Sequence, residues 1–577
     1  MDWQELKRGN LCMHGKKGTV AVASAAVLSL VLVGCGANSP APSNTQNTTG
    51  TGTASTGKPV PGGSVTLDFV QNIRDLDPAI AYDTQSDEVV SQLYDQLVTW
   101  QGNTDNIVPM AAKDWTISAD GLTYTFHLHQ DMKFWNGDPV TAQSFIDEFQ
   151  RVLNPNLGSG GSGFYTIIQG AQAYLNKKAT SISGLSAPSP YTLVIKLTKP
   201  EKFFLDTLTM PFISAVDQKF IDKVGNKAFD ATQAMGSGPF ELTSSDITPN
   251  QIILTKNPNY WRTDSYGNHL PYLNKVTINI SNNDQLDTLH FEQGQTAWIG
   301  WNFGGDGIPA SSYPQFMANP KYAALTQSLI MNSVQYVGLN TTQGPTKNPL
   351  VRQAIEYAIN KPDILRLNNG RGQIANQPLP PGIQGYVQNL PADATYSYNP
   401  QKAIALLKQA GYPKGFTIDM YSSNDGAQLT LDQGIQSQLA KVGIKVNIKA
   451  SSWGTFLNVA EAGKAPMDWL GWIQDFPDAS DFLNTLFNSN QVPVNNNMNY
   501  SNANVDSWLN TAEYSMNTQQ RNQLYGNVTD QVMKDAVWVP IWYDKFTAAT
   551  QPWVHGFYIP AVGQDPIEWV WISKSHQ

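Results

Sequence analysis

Three aspartates at a spacing of three, Asp475, Asp478 and Asp481, follow Trp472 in the run Gly471-Trp472-Ile473-Gln474-Asp475-Phe476-Pro477-Asp478. Carboxylates so spaced could line one helical face and hold a cation. Against this, Phe476-Pro477 disfavours a helix there, and the run lacks the glycine and terminal glutamate of a calcium loop. His127 and His129 lie two apart on a strand-like segment without a third ligand nearby, so a metal is not expected. Gly158, Gly160 and Gly163 fit G-x-G-x-x-G but follow a helix instead of a strand, which excludes a dinucleotide loop and leaves a flexible surface loop as the expectation. There is no Gly-Lys-Ser/Thr phosphate loop, no His-Glu-x-x-His and no Gly-x-Ser-x-Gly elbow. The residues therefore predict no catalytic group, no metal and no cofactor, and no enzyme is expected. With 16 Trp and 23 Tyr, the chain has the rings to line a polar cleft.

The elements that must carry such a cleft are legible in places. Leu122-Thr123-Tyr124-Thr125-Phe126-His127-Leu128 alternates as a half-buried strand, and Thr141 caps a helix running to Leu153. Pro349 to Ile359 sets Val351, Ala354, Ile355, Ala358 and Ile359 on one helical face. Asn399 as N-cap, Pro400 at the first helical position and Gly411 as the stop delimit another helix. A strand from Phe416 to Tyr421, a helix over Leu429–Val442 and a strand at Ile444–Ile448 follow in turn. The later part reads as α/β with crossovers, whereas residues 60–280 are richer in strands. At 577 residues the chain is too long for one core, so two lobes are expected.

The N-terminus is of another kind. Lys7, Arg8, Lys16 and Lys17 precede a weakly apolar run, Gly18 to Leu32, that is too short for a stable membrane span and reads as an export signal over 1–34. Leu32-Val33-Gly34-Cys35 resembles the bacterial lipobox, which makes Cys35 the lipid anchor of a protein held outside the cytoplasmic membrane. Cys12, the other of the two cysteines, leaves with the signal, so no internal disulfide can form. Residues 35–59, poor in charge and apolar side chains, form a tether with a reach of roughly 25–30 Å. The formal charge is −9, and because the first 34 residues carry four basic and two acidic side chains, the remainder is near −11. Without a basic cluster, nucleic acid is not an expected partner.

Several segments, in order, resemble the oligopeptide/dipeptide-binding proteins of ABC importers, extracellular solute-binding protein family 5. They are Pro109-Met110-Ala111-Ala112-Lys113-Asp114-Trp115, Ser118-Ala119-Asp120-Gly121-Leu122-Thr123-Tyr124-Thr125-Phe126, Lys133-Phe134-Trp135-Asn136-Gly137 and Gly236-Ser237-Gly238-Pro239-Phe240. Asn340 with Val351 to Asn360, and Ala405 to Tyr412, continue the match. The resemblance implies an α/β fold of two lobes, periplasmic-binding-protein-like and of type II, with the ligand enclosed between them by hinge closure. It implies a first lobe over 60–310 with an extra subdomain at about 105–235, a second lobe over 311–545, and a return to the first lobe over 546–577. In the ligand segment, Asp475 matches the acid that pairs a peptide's α-ammonium. Trp453 and Trp472 match two tryptophans that line side-chain pockets, and Asn340 is a further expected ligand residue. Ala460 and Trp469 stand where length-selective members place arginines, so strict length selection is not expected. The implied partners are a peptide, ABC permease and ATPase subunits, and the membrane through the anchor, with the chain itself a monomer. A non-peptide solute such as an oligosaccharide or metal chelate is the alternative cargo, and a sensor without transport the alternative role.

The anchor is directly testable. Cys35→Ala should release the protein from the membrane fraction, since a diacyl anchor holds firmly where a single chain binds only marginally; unchanged retention would remove the lipoprotein assignment.

Overall fold

A computed structural model describes residues 57–69, 73–243, 246–281, 283–300, 307–424, 426–562 and 567–577. The signal, Cys35 and most of the tether lie outside the described residues. Three sheets organise the chain. In the first, the strand Ser64–Phe69 runs parallel to Lys275–Ile280, which pairs antiparallel with Gln251–Lys256. The second is an antiparallel meander in the order Ala112–Ile117, Thr123–Leu128, Thr192–Lys196, Leu185–Ser189, carrying the helix Ala142–Val152 on its core face. The third has eight strands, with Trp538–Thr550, Ser333–Leu339, Met467–Ile473, Phe416–Ser423 and Ile444–Ser451 side by side.

Both faces of the third sheet are covered. Val337 and Leu339 pack with the helices Pro349–Ala358 and Gly426–Ala440, while Val334 and Tyr336 pack with Ala479–Phe487, Ala503–Tyr514 and Thr518–Lys534. Successive side chains point to opposite faces, so a strand buried on both sides shows a continuous apolar run and no alternation. The half-buried strand Thr123–Leu128, by contrast, alternates as the sequence indicates.

The lobes are joined by paired strands. Thr326–Ile330 continues through Met331 and Asn332 into Ser333–Leu339, and the 13-residue strand Trp538–Thr550 pairs with both along its length. Leu329, Met331, Phe546 and Ala548 belong to the core of the first lobe, whereas Val334, Tyr336, Val539 and Ile541 belong to the second.

Local signals hold at the helix ends. Asn399 accepts a hydrogen bond from the Lys402 N–H at 3.0 Å, Pro400 opens the helix, and Gly411 takes φ +91° just past its end. Thr141 and Ser144 form a reciprocal capping box. The glycine-rich run differs from expectation: it is a 3-10 helix, Gly160–Tyr165, and not a flexible loop. A Cβ on Gly160 would meet the Tyr82 ring at 2.9 Å and one on Gly161 the Phe212 ring at 2.6 Å, so the glycines let two aromatic rings approach the backbone. His127 and His129 are occupied separately, His127 by Asp114 and His129 by the Trp261 ring at 4.3 Å.

The helix Ala479–Phe487 carries the segment that reaches the inter-lobe cavity, and its N-terminus is held by a buried ion pair. Asp478 is the N-cap, accepting from the Ser480 N–H, and Arg521 grips the same carboxylate through two bonds of 2.6 and 2.7 Å. Arg521→Leu should lower unfolding free energy by about 3 kcal/mol or more, because Asp478 would remain buried without its counter-charge. Arg521→Lys, keeping the charge without the planar fork, should fall between the two in urea unfolding; an unchanged midpoint in the Leu variant would show that the pair supports nothing.

Candidate functional site

A cavity of about 810 Å³ opens between the lobes. One wall comes from the segment leading into the helix Thr84–Leu93, with Arg74, Tyr82, Asp83 and Asp87 facing in; the opposite wall comes from the strand Met467–Ile473 and the helix Trp453–Ala460. Trp453, Trp472 and Asp475 all line this cavity, as do Ala460 and Trp469. Asn340 does not. Its amide is fully buried and spent on the chain around it, donating to the carbonyls of Gly463 and Ala465 at 3.1 Å each and accepting from the Thr342 N–H at 3.0 Å. Its expected place at the ligand is thus corrected: Asn340 fixes a loop behind the helix that carries Trp453, because a buried amide takes its nearest backbone partners.

The three aspartates do not share a helical face, since the chain turns at Phe476-Pro477 and the helix starts only at Ala479. Each has its own donors. The Tyr82 hydroxyl donates to Asp475 at 2.7 Å, the Trp472 indole donates to Asp481 at 3.2 Å, and the Asp475 backbone N–H also reaches Asp481 at 3.0 Å. Burial pushes the Asp475 carboxyl above its ordinary range, while the Tyr82 hydrogen bond holds it down in part. Asp481 is driven well above that range, first by burial and then by the Asp475 charge beside it. Of the two carboxyls, Asp481 keeps the proton and Asp475 is the one to ionise. Asp478, despite burial, lies below its usual value because Arg521 binds it.

One edge of the cavity is backbone. The strand Met467–Ile473 pairs along its whole length with Ser333–Leu339, but on its other side only Met467 and Asp468 pair with Phe416–Ser423. Residues Trp469 to Ile473 thus present a strand edge that line the cavity and has no ladder partner among the described residues, and two residues further on stands Asp475.

Contacts across the cleft hold the lobes together. Arg74 forms a two-bond pair with Glu461 at 2.9 and 3.2 Å, and the Tyr82 and Trp472 rings meet edge to face at 5.9 Å. Phe476, 1% exposed, leaves its own lobe for the core of the extra subdomain, stacking on Phe203 at 5.3 Å and meeting Phe164 at 6.0 Å. Sequence reasoning does not find Tyr82, Arg74 or Glu461, whose partners lie hundreds of residues away and leave no local pattern.

Carbon-13 NMR of the aspartate carboxyls should find Asp475 titrating above the ordinary carboxylate value of about 3.9, with Asp475→Asn assigning the signal. Tyr82→Phe removes the donor that favours the ionised form, so the midpoint should move to higher pH; a shift to lower pH would break the assigned role of Tyr82.

The profile of "Bacterial extracellular solute-binding proteins, family 5 Middle" matches residues 106–493. Heme-binding protein A of Haemophilus influenzae is 29% identical over 492 residues, covering 82% of this chain and 86% of that protein. The glutathione-binding protein GsiB of Salmonella paratyphi A is 29% identical over 501 residues, covering 85% and 90%. Among solved structures, the ABC transporter-associated periplasmic binding protein DppA from Helicobacter pylori, in complex with the peptide STSA, superposes with a TM-score of 0.78 at 27% identity, covering 89% of this chain and 99% of that one. The murein tripeptide binding protein MppA of Escherichia coli shares the fold with a TM-score of 0.80 at 22% identity, covering 89% and 98%.

Proposed function

The chain belongs to the bacterial extracellular solute-binding proteins of family 5, and from that premise we propose that it captures peptides in the inter-lobe cleft for delivery to an ABC permease. The observation that carries the peptide reading is the open edge of Trp469 to Ile473 ending beside Asp475. An extended peptide can add itself to a strand edge through its backbone, which provides affinity without reading side chains. Its free ammonium then falls at Asp475, the carboxyl whose ionised form lacks a cationic side chain and is held only by hydrogen bonds. The similar Helicobacter pylori protein with its bound peptide supports the same reading. Trp453 and Trp472 serve as walls for side-chain pockets, and Ala460 and Trp469 leave the far end without length-measuring arginines. A cavity of about 810 Å³ suits a short peptide.

The remaining assignments follow the same reading. Cys35 carries the lipid and the tether spans from it to the fold, with permease and ATPase subunits as partners of a monomeric, non-catalytic protein. The lobes are read as 60–310 and 311–545 with a return to the first lobe over 546–577, and the separate cores of Leu329 and Met331 on one side and Val334 on the other support a crossing within the joining strands.

Calorimetry with mixed tri- to hexapeptides tests the function. Asp475→Ala should weaken free-amine peptides by about 2–5 kcal/mol, roughly 30-fold to several-thousand-fold in Kd. N-acetylation of the peptide should weaken wild-type binding comparably and add little further in the variant, a double-mutant cycle with one chemical arm. Equal binding of acetylated and free peptides would take away Asp475 as the ammonium partner, and a response to a glycan alone would move the assignment to a sugar carrier.

A further inference from the structure

Beyond the carboxyl assigned to the peptide's ammonium, the cleft holds a carboxyl oxygen with no donor, that of Asp87. The helix Thr84–Leu93 begins at the cavity wall, with Asp83 as its N-cap and Asp87 in its first turn. Both side chains line the cavity and both residues are only 8% exposed. Asp83 accepts from the Ser86 N–H at 3.2 Å, as a cap requires, and has the Trp453 indole as a second donor, whereas Oδ1 of Asp87 is buried with no hydrogen-bond partner. A first-turn acid is ordinarily explained by the helix dipole, worth about 0.3–1 kcal/mol at an exposed site. That explanation does not extend to a carboxyl more than nine-tenths buried, where an unmet acceptor is costly.

Nor is a cationic side chain bonded to either carboxyl, Arg74 acting on Asp83 only through its charge. Seven carboxylates and three arginines line the cavity, and no lysine or histidine does so among the described residues. Arg74 is taken by Glu461, Arg262 by Glu568, and Arg371 by the Ile308 carbonyl and Asn368. Burial pushes the Asp87 carboxyl well above its ordinary range, and the charges of Asp475 and Asp83 push it further. The neighbouring surfaces are aromatic, Tyr82 preceding Asp83 in the chain and Trp453, whose indole N–H serves Asp83, also lining the cavity. Rings beside carboxylates suit an organic ammonium or guanidinium, which can sit on a π face and pair at once.

We propose that Asp87, with the Asp83 carboxyl beside it, forms a second cation subsite, so that the cleft selects ligands with two positive groups: for a peptide, a lysine or arginine side chain near its amino end in addition to the terminal ammonium. The selectivity for peptides rests on the peptide reading above; the subsite itself rests on Asp83 and Asp87.

Calorimetry on the full chain with Ala-Ala-Ala, Lys-Ala-Ala and Ala-Lys-Ala separates the two. One of the lysine peptides should bind tighter than tri-alanine by about tenfold or more, and Asp87→Asn should collapse that ratio towards one. Asp83→Asn should reduce it in part and, since asparagine caps a helix as well as aspartate does, should keep the wild-type melting temperature; Asp87→Asn, of the same shape and without a buried unpaired charge, should not lower it. Equal wild-type affinities, or a preference that survives both substitutions, would overturn the subsite and leave the peptide reading standing. If no peptide binds but 1,5-diaminopentane does so in an Asp87-dependent way, the subsite stands and the peptide reading falls; if neither class binds, both fall.

Discussion

A carboxylate can stay in a water-poor cleft only where donors are brought to it, and here the donors to Asp475 and Asp481 come from both lobes. Tyr82 from the first lobe reaches Asp475, while Trp472 and the Asp475 backbone reach Asp481 from within the second. Because the helix behind them is anchored by Arg521 on Asp478, the carboxyl pair is held on a rigid support and not on a free loop. The division of labour among three aspartates within seven residues follows from environment alone: one faces an arginine, one keeps a proton, and one is left able to ionise toward the cavity.

Closure uses the same segment. The residue after Asp475, Phe476, inserts into the aromatic core of the extra subdomain, so the backbone that presents the carboxyl is also the backbone that fastens the lobes. Arg74 and Glu461 add a half-exposed ion pair at the rim, where salt screening makes such pairs weak. Burial of Phe476 therefore does more to hold the closed form than the visible salt bridge. The two crossings between the lobes are paired strands, Trp538–Thr550 meeting both Thr326–Ile330 and Ser333–Leu339 with a register shift at Gln335/Tyr336, which suits them to bend together as a hinge.

Much of the local structure was legible because it depends on neighbours in the chain. Caps at Thr141 and Asn399, the stop at Gly411 and the alternation of Thr123–Leu128 need only a few residues to act. The doubly covered strands Ser333–Leu339 and Trp538–Thr550 were not legible by alternation, since helices bury both of their faces. The glycines of 158–163 misled for a related reason: two of them, Gly160 and Gly161, admit Tyr82 and Phe212, and neither ring is a sequence neighbour.

By itself, the sequence determined the family, through ordered motifs whose residue types suit strands, caps and turns, and it singled out Asp475, Trp472, Trp453 and Asn340 as expected ligand residues. Only the tertiary structure decided what faces them. It withdrew Asn340 into loop-fixing bonds, set Tyr82 on Asp475 across 393 positions of chain, and left Asp87 buried with an oxygen that has no donor. The reason is physical: whether a carboxyl is solvated, paired or left wanting a cation depends on which distant groups share its low-dielectric surroundings, and local spacing carries no record of those groups.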